Sequence, residues 1–192
     1  MARWQPGATQ RLVAAAVDLF AEQGYDATTV AQIAERAGVT RSTFFRHFSD
    51  KRELLVAGQE TLSRLLADGI IEAPANASPL DAVAAGLERA SGEMGPANRE
   101  LGPRLKAAVA ASTELQERDT LKSVGLAAAM TAALIARGVP EPTAHLAGEM
   151  GILAFKRGYT RWSEGDRDDG TGLAQHALAA LDELRTAAAS LG

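Results

Sequence analysis

Between residues 41 and 52 the chain sets four cations, Arg41, Arg46, Lys51 and Arg52, among the hydroxyls of Ser42 and Thr43 and the imidazole of His47. Ammonium and guanidinium groups neutralise phosphates, and a guanidinium fork can grip a base edge with two parallel hydrogen bonds. The types and spacing therefore suit a polyanion that also carries a hydrogen-bonding code. Phe44 and Phe48 lie four apart, which gives a short helix one buried face. Arg41, Ser42, Thr43, Phe45, Arg46 and His47 then point away from that face. The net charge of −4 hides this patch. Residues 1–56 hold seven Lys or Arg against six acids and the remainder thirteen against eighteen, so the two parts carry about +1 and −5. A local cluster, not the charge of the whole domain, sets an electrostatic footprint.

Those side chains need a rigid mount, and the preceding residues predict one. Ile33, Ala34 and Ala37 form the apolar face of another short helix, opened by a capping box at Thr29 and Gln32. Gly38 breaks it, where a positive φ is cheapest, and Val39 plugs the turn. Ala34 is small where two steeply crossing helices must touch. Thr40 caps the next helix. The arrangement is a helix-turn-helix, whose second helix enters the major groove of DNA.

Thr-Val-x-x-Ile-Ala-x-x-Ala-Gly-Val-x-x-x-Thr-Phe-Phe-x-His-Phe-x-x-Lys-x-x-Leu, from Thr29 to Leu54, resembles the signature of the tetracycline-repressor (TetR) family of bacterial transcription regulators. The likeness covers about the first 56 residues. It implies base reading by Arg41, Ser42 and Thr43, with Arg41 suited to O6 and N7 of guanine or else to a phosphate. It implies phosphate contacts at Thr29, Arg46, His47 and Lys51, and it places the Thr40 cap at the same interface. Where the family commonly has a tyrosine this chain has Phe45, so the resemblance there leaves only packing on sugar or a thymine methyl. Arg3 and Trp4 read either as a minor-groove arm or as a solvated cation and a packed indole.

Over the whole chain, 192 residues with 46% apolar and only 5% aromatic side chains favour helix and supply no strand candidates. No cysteine is present, which excludes disulfides, thiolate metal sites and cysteine nucleophiles. The first residues have no apolar core of a signal peptide, and the charge-free run Ser123 to Ala136 is short for a bilayer. The expectation is an all-α, soluble, cytoplasmic protein of about nine helices, with a three-helix head at 1–56 and a body at 57–192. A first helix is predicted from a Thr9 cap to Gln23. A fourth helix, capped by Asp50 and Glu53, is predicted to run unbroken through Leu54, Leu55, Leu62, Leu65, Leu66 and Ile70, joining head to body. Beyond the Pro-rich loop 72–79, helices are expected at 80–93, 98–112, 114–137, 142–163 and 173–190, with Gly102-Pro103 kinking or delaying the second of these.

For the body the resemblance implies a homodimer that presents two recognition helices to a palindrome, roughly 34–36 Å apart. Gly148, Gly151, Ile152, Phe155, Tyr159 and Trp162, with Leu178 and Leu181, are the expected dimer face, their alternative being the chain's own core. It also implies a small-molecule effector inside the body, with Met94, Leu105, Val109, Met130, Leu134 and His145 as candidate lining or as plain core. No cofactor and no metal are called for. The best enzymatic constellation, His145-x-x-x-Glu149, lacks the three or four ligands a metal needs. A helical protein-interaction module is the other alternative.

Overall fold

The computed structural model describes residues 7–166 and 170–191; Arg3 and Trp4 lie outside them. The described residues form nine α-helices and no strand: α1 Ala8–Gln23, α2 Val30–Arg36, α3 Arg41–His47, α4 Gln59–Glu72, α5 Pro79–Gly92, α6 Pro96–Ala110, α7 Thr113–Ala136, α8 Glu141–Glu164 and α9 Leu173–Ala189. The chain divides into two compact units, residues 1–57 with 103–121, and residues 58–102 with 122–192. Both α6 and α7 contribute to each unit, and the division in α6 falls between Gly102 and Pro103. The helix runs on through that proline.

In the first unit the local signals act as expected, with three exceptions. Helix α1 starts two residues early, with Gly7 rather than Thr9 at its N-cap. It buries Leu12, Ala15, Ala16, Leu19 and Phe20 and stops at Gly24, φ +85°. The second exception is the fourth helix, which is not continuous. Asp50 accepts from the amides of Arg52 and Glu53, but the helix it opens is a 3₁₀ segment, Lys51–Val56. That segment ends at Ala57, and Gly58 takes φ +76°, a left-handed conformation that cannot continue a right-handed helix. Glu53 closes the cap one residue earlier than expected, accepting from the amide and hydroxyl of Ser49, each at 2.7 Å.

The core of this unit gathers Leu12, Phe20, Tyr25, Ile33, Ala34, Phe44, Phe48, Leu54 and Leu55. It also takes in Ala108 and Leu115, with Leu105 and Val109 against it. Arg104 pairs with Asp18. Two helices of seven residues would not persist alone, so this added apolar surface supports them.

In the second unit, Ser78 caps α5 with Pro79 in its first turn. The core holds Leu62, Leu66, Ile70, Val83, Leu87, Met130, Leu134, Ile152, Phe155, Trp162 and Leu181. Helices α4 and α5 touch through glycine: a Cβ on Gly69 would stand 2.7 Å from the carbonyl oxygen of Ala85 and the Cα of Gly86. At the α8–α9 crossing, a Cβ on Gly158 would stand 2.5 Å from backbone N and Cα of Ala177. Backbone cannot swing aside as a side-chain tip can. Gly158→Ala is therefore expected to lose about 1–3 kcal/mol of stability by forcing α8 and α9 apart, read as a lower urea midpoint; an unchanged midpoint would mean the crossing relaxes freely. By length and composition α7 is apolar enough to cross a membrane, yet Leu126, Ala127, Met130, Ala133 and Leu134 on it are core.

A candidate nucleic-acid interface

Helix α3 is held by its ends and its buried face. Thr40 accepts from the amide of Thr43 at 3.1 Å, and the two threonine hydroxyls lie 3.0 Å apart. Phe44 is fully buried and Phe48 nearly so, their ring centroids 5.8 Å apart. With that face fixed, Arg41, Ser42, Phe45, Arg46 and His47 are exposed, while Thr43 is half-buried. Phe45 is 51% exposed, an unusual cost in water for a side chain of that size. Arg41 and Arg46 make no hydrogen bond or ion pair with the described residues. Other arginines of this unit are committed: Arg36 binds Glu22 in a fork at 2.8 and 2.9 Å, and Arg52 binds Asp50. Two guanidinium groups, one in each end turn of α3, are thus without a partner among the described residues.

Helix α2 opens with the expected box. The hydroxyl oxygen of Thr29 accepts from the amide of Gln32 at 3.3 Å, and Oε1 of Gln32 accepts in return from the amide of Thr29 at 2.8 Å. The turn to α3 passes through Gly38, φ +66°. Arg11, missed by the sequence reading, donates from Nε to the carbonyl of Ala37 at 3.1 Å and so satisfies the end of α2. A basic side chain facing a helix C-terminus is a weak signal, visible only once α1 is known to cross there. Thr9 and His47 approach to 3.4 Å between Oγ1 and Nδ1.

Lys51 is placed differently from the other cations. Its ammonium donates to the carbonyls of Tyr25 at 2.6 Å and Thr28 at 2.9 Å, stands 3.5 Å from that of Asp26, and lies 4.1 Å from the centroid of the Tyr25 ring. Arg52's guanidinium and nearby amides hold the Asp50 carboxyl below its ordinary range, and the bonds from Ser49 do the same for Glu53.

The expected effector set is divided between two cores, and the expected dimer face lies mostly inward. Among the effector candidates, Leu105 and Val109 border the core of the first unit, Met130 and Leu134 belong to that of the second with Met94 packed against it, and His145 is exposed. Of the expected dimer face, Gly148, Gly151, Ile152, Phe155, Trp162 and Leu181 are buried within the single chain. A Cβ on Gly151 would meet Met130 and Val83 at 2.8 Å. The hydroxyl of Tyr159 donates to the carbonyl of Asn98 at 2.6 Å, and burial pushes its pKa up to about 12. Leu178 is half-buried. The faces of α8 that remain outside show Leu146, 61% exposed, and Leu153, 41% exposed, seven residues apart. His145 and Glu149 face solvent, and no metal-binding group of three His, Asp or Glu exists among the described residues.

A capped three-helix head with an outward, uncompensated basic recognition helix defines a helix-turn-helix DNA-binding domain. Residues 12–57 match the bacterial regulatory proteins of the tetR family. The head of this chain is a TetR-family domain, as the Thr29–Leu54 pattern indicated. The transcriptional regulator TcmR of Streptomyces glaucescens is 34% identical over 97 residues, 46% of this chain and 43% of that protein. The chain thus spans less than half the length of this relative. The whole chain has the TetR-family all-α fold. It superposes on a TetR-family regulator from Syntrophomonas wolfei with a TM-score of 0.60 at 19% identity, covering 95% of each chain. It superposes on the regulator FadR of Bacillus subtilis, solved in complex with stearoyl-CoA, with a TM-score of 0.55 at 19% identity, covering 90% of this chain and 95% of that one.

Proposed function

We propose that this protein is a homodimeric, one-component transcription regulator of the bacterial cytoplasm, a repressor that leaves a palindromic operator when a small molecule binds its body. The observation that carries the reading is the outward face of α3, where Arg41 and Arg46 stand free of the described residues on a helix fixed by Thr40 and Phe44. Arg41, Ser42 and Thr43 read bases near the start of that helix. Thr29 with the first amides of α2, and Arg46 and His47 with the end of α3, hold phosphates on either side. Phe45 packs against sugar or a thymine methyl.

One such head reads too few bases for a unique genomic address, which favours a two-fold pair. With the former stripe turned into the core, the dimer face is formed by the outer residues of α8 and α9, with Leu146 and Leu153 on α8 and the half-buried Leu178 on α9. Leu153→Glu would bury an unpaired charge on both sides of a two-fold axis. It is expected to weaken dimerisation on the order of a hundredfold, seen by sedimentation velocity; dimers of unchanged strength would move the interface elsewhere. Within the body, Met130 and Leu134 with Met94 offer an apolar environment, and an effector there must favour the form that cannot hold DNA.

Selection of genomic fragments by the purified protein, followed by fluorescence anisotropy on the enriched sequence, tests the reading. Binding at about 10⁻⁸ M or tighter is expected, weakening with salt by a slope of about −0.9 per phosphate neutralised. No enriched sequence would overturn it.

A further inference from the structure

The turn that leads into α2 is gripped from two sides, and one of the grips lies outside residues 12–57. Tyr25 is buried at the start of this turn. Its hydroxyl donates to Oε1 of Glu114, in the first turn of α7, at 3.1 Å. Leu115, the next residue, is fully buried in the same core as Tyr25. The Arg52 guanidinium reaches Glu114 at 4.0 Å. From the other side comes Lys51, its ammonium over the Tyr25 ring and directed at the carbonyls of Tyr25, Asp26 and Thr28. An ammonium has three donors, and all three of its directions are accounted for by this turn. The Thr28 hydroxyl adds a bond to the carbonyl of Gly24 at 2.8 Å.

We propose that Glu114 and Lys51 are positioning residues for DNA recognition, which act through Tyr25 to fix the turn from Gly24 to Thr29 and do not themselves touch DNA. Resting on the regulator reading above, the proposal replaces the phosphate contact that family resemblance implies for Lys51. The physical reason is competition. A phosphate could take the Lys51 ammonium only by stripping carbonyls that have no other partner of comparable charge. The turn it holds ends at Thr29, which caps α2 and to which the regulator reading gives a phosphate contact. A few tenths of an ångström there decide whether that contact is made. Because Glu114 belongs to α7, the readiness of the head depends on where the first turn of that helix stands.

The experiment compares wild-type protein, Tyr25→Phe, Glu114→Gln, the double variant and Lys51→Met on the enriched operator fragment across a salt series. Tyr25→Phe removes a single oxygen, so folding is the least disturbed there, and circular dichroism checks each variant. Tyr25→Phe and Glu114→Gln are each expected to weaken specific binding roughly three- to tenfold. The double variant should be no weaker than the worse single one. Lys51→Met should weaken binding at least as much while leaving the salt slope unchanged. A slope that falls by about one in Lys51→Met would mark a direct phosphate contact and overturn the proposal for that residue. Singles that bind like wild type, or losses that multiply in the double, would overturn it for Glu114. A wild-type protein that enriches no sequence is a separate failure, that of the regulator reading. Amide exchange over residues 30–33 supplies the readout a remote structural role would not move: it should quicken in Glu114→Gln, and unchanged protection would count against the proposal.

Discussion

Phe44→Ala is expected to cost the head about 3–5 kcal/mol, the range for emptying a buried aromatic site. Phe44 is fully buried, its ring 5.4 Å from that of Phe45 and 5.8 Å from that of Phe48. It sits in one cluster with Leu12, Ile33 and Ala34, so it is the side chain by which α3 is seated on α1 and α2. A seven-residue helix has little stability of its own. Losing that anchor should free α3 from its mount while the caps at Thr29 and Thr40 remain chemically intact. Urea unfolding, monitored by exchange of the α3 amides, measures the effect. A loss under about 1 kcal/mol would mean that the neighbouring helices close over the cavity. Specific DNA binding should disappear with the same change, although Phe44 reaches no base.

Arg41→Ala is expected to reduce specific binding roughly ten- to a hundredfold while non-specific binding changes far less, since one bidentate base contact is worth about 1–3 kcal/mol of discrimination. Arg41 is exposed in the first turn of α3 and has no partner among the described residues, so its removal leaves the fold undisturbed. Arg46, in the last turn, supplies the contrast. As a phosphate ligand it should lower affinity for all sequences alike in Arg46→Ala and reduce the salt slope by about one. Anisotropy on operator and scrambled DNA separates the two patterns. If Arg41→Ala weakened both DNAs equally, Arg41 would be a backbone contact, and base reading would fall to Ser42 and Thr43.

Much of the head was legible because its signals are local. Thr29 with Gln32, Thr40 with Thr43, Gly38 at positive φ, and Phe44 with Phe48 each act within four residues. Local chemistry of this kind says little about long helices. The leucines from 54 to 66 suit an unbroken fourth helix, but Gly58 carries no side chain to announce whether it continues a helix or turns it. The apolar residues of α8 posed a harder problem. A helix with small and large apolar residues on more than one side has several faces that could be buried, and periodicity alone does not say against what. Gly148, Gly151, Ile152 and Phe155 went to the chain's own core because α5, α7 and α9 were there to receive them.

The sequence by itself determined an all-helical chain, the helix-turn-helix and its outward cations, since these follow from caps, composition and i to i+4 spacing within short windows. Only the tertiary structure decided three further things. Residues 103–121 complete the core of the head, Lys51 turns inward onto the Tyr25 turn, and Leu146 and Leu153, not the glycine-aromatic stripe, remain outside on α8. Each depends on which distant segment arrives at a surface first and fits it best. That choice is made by burial and donor satisfaction between segments from 23 to 89 residues apart, over which no short-range pattern carries information.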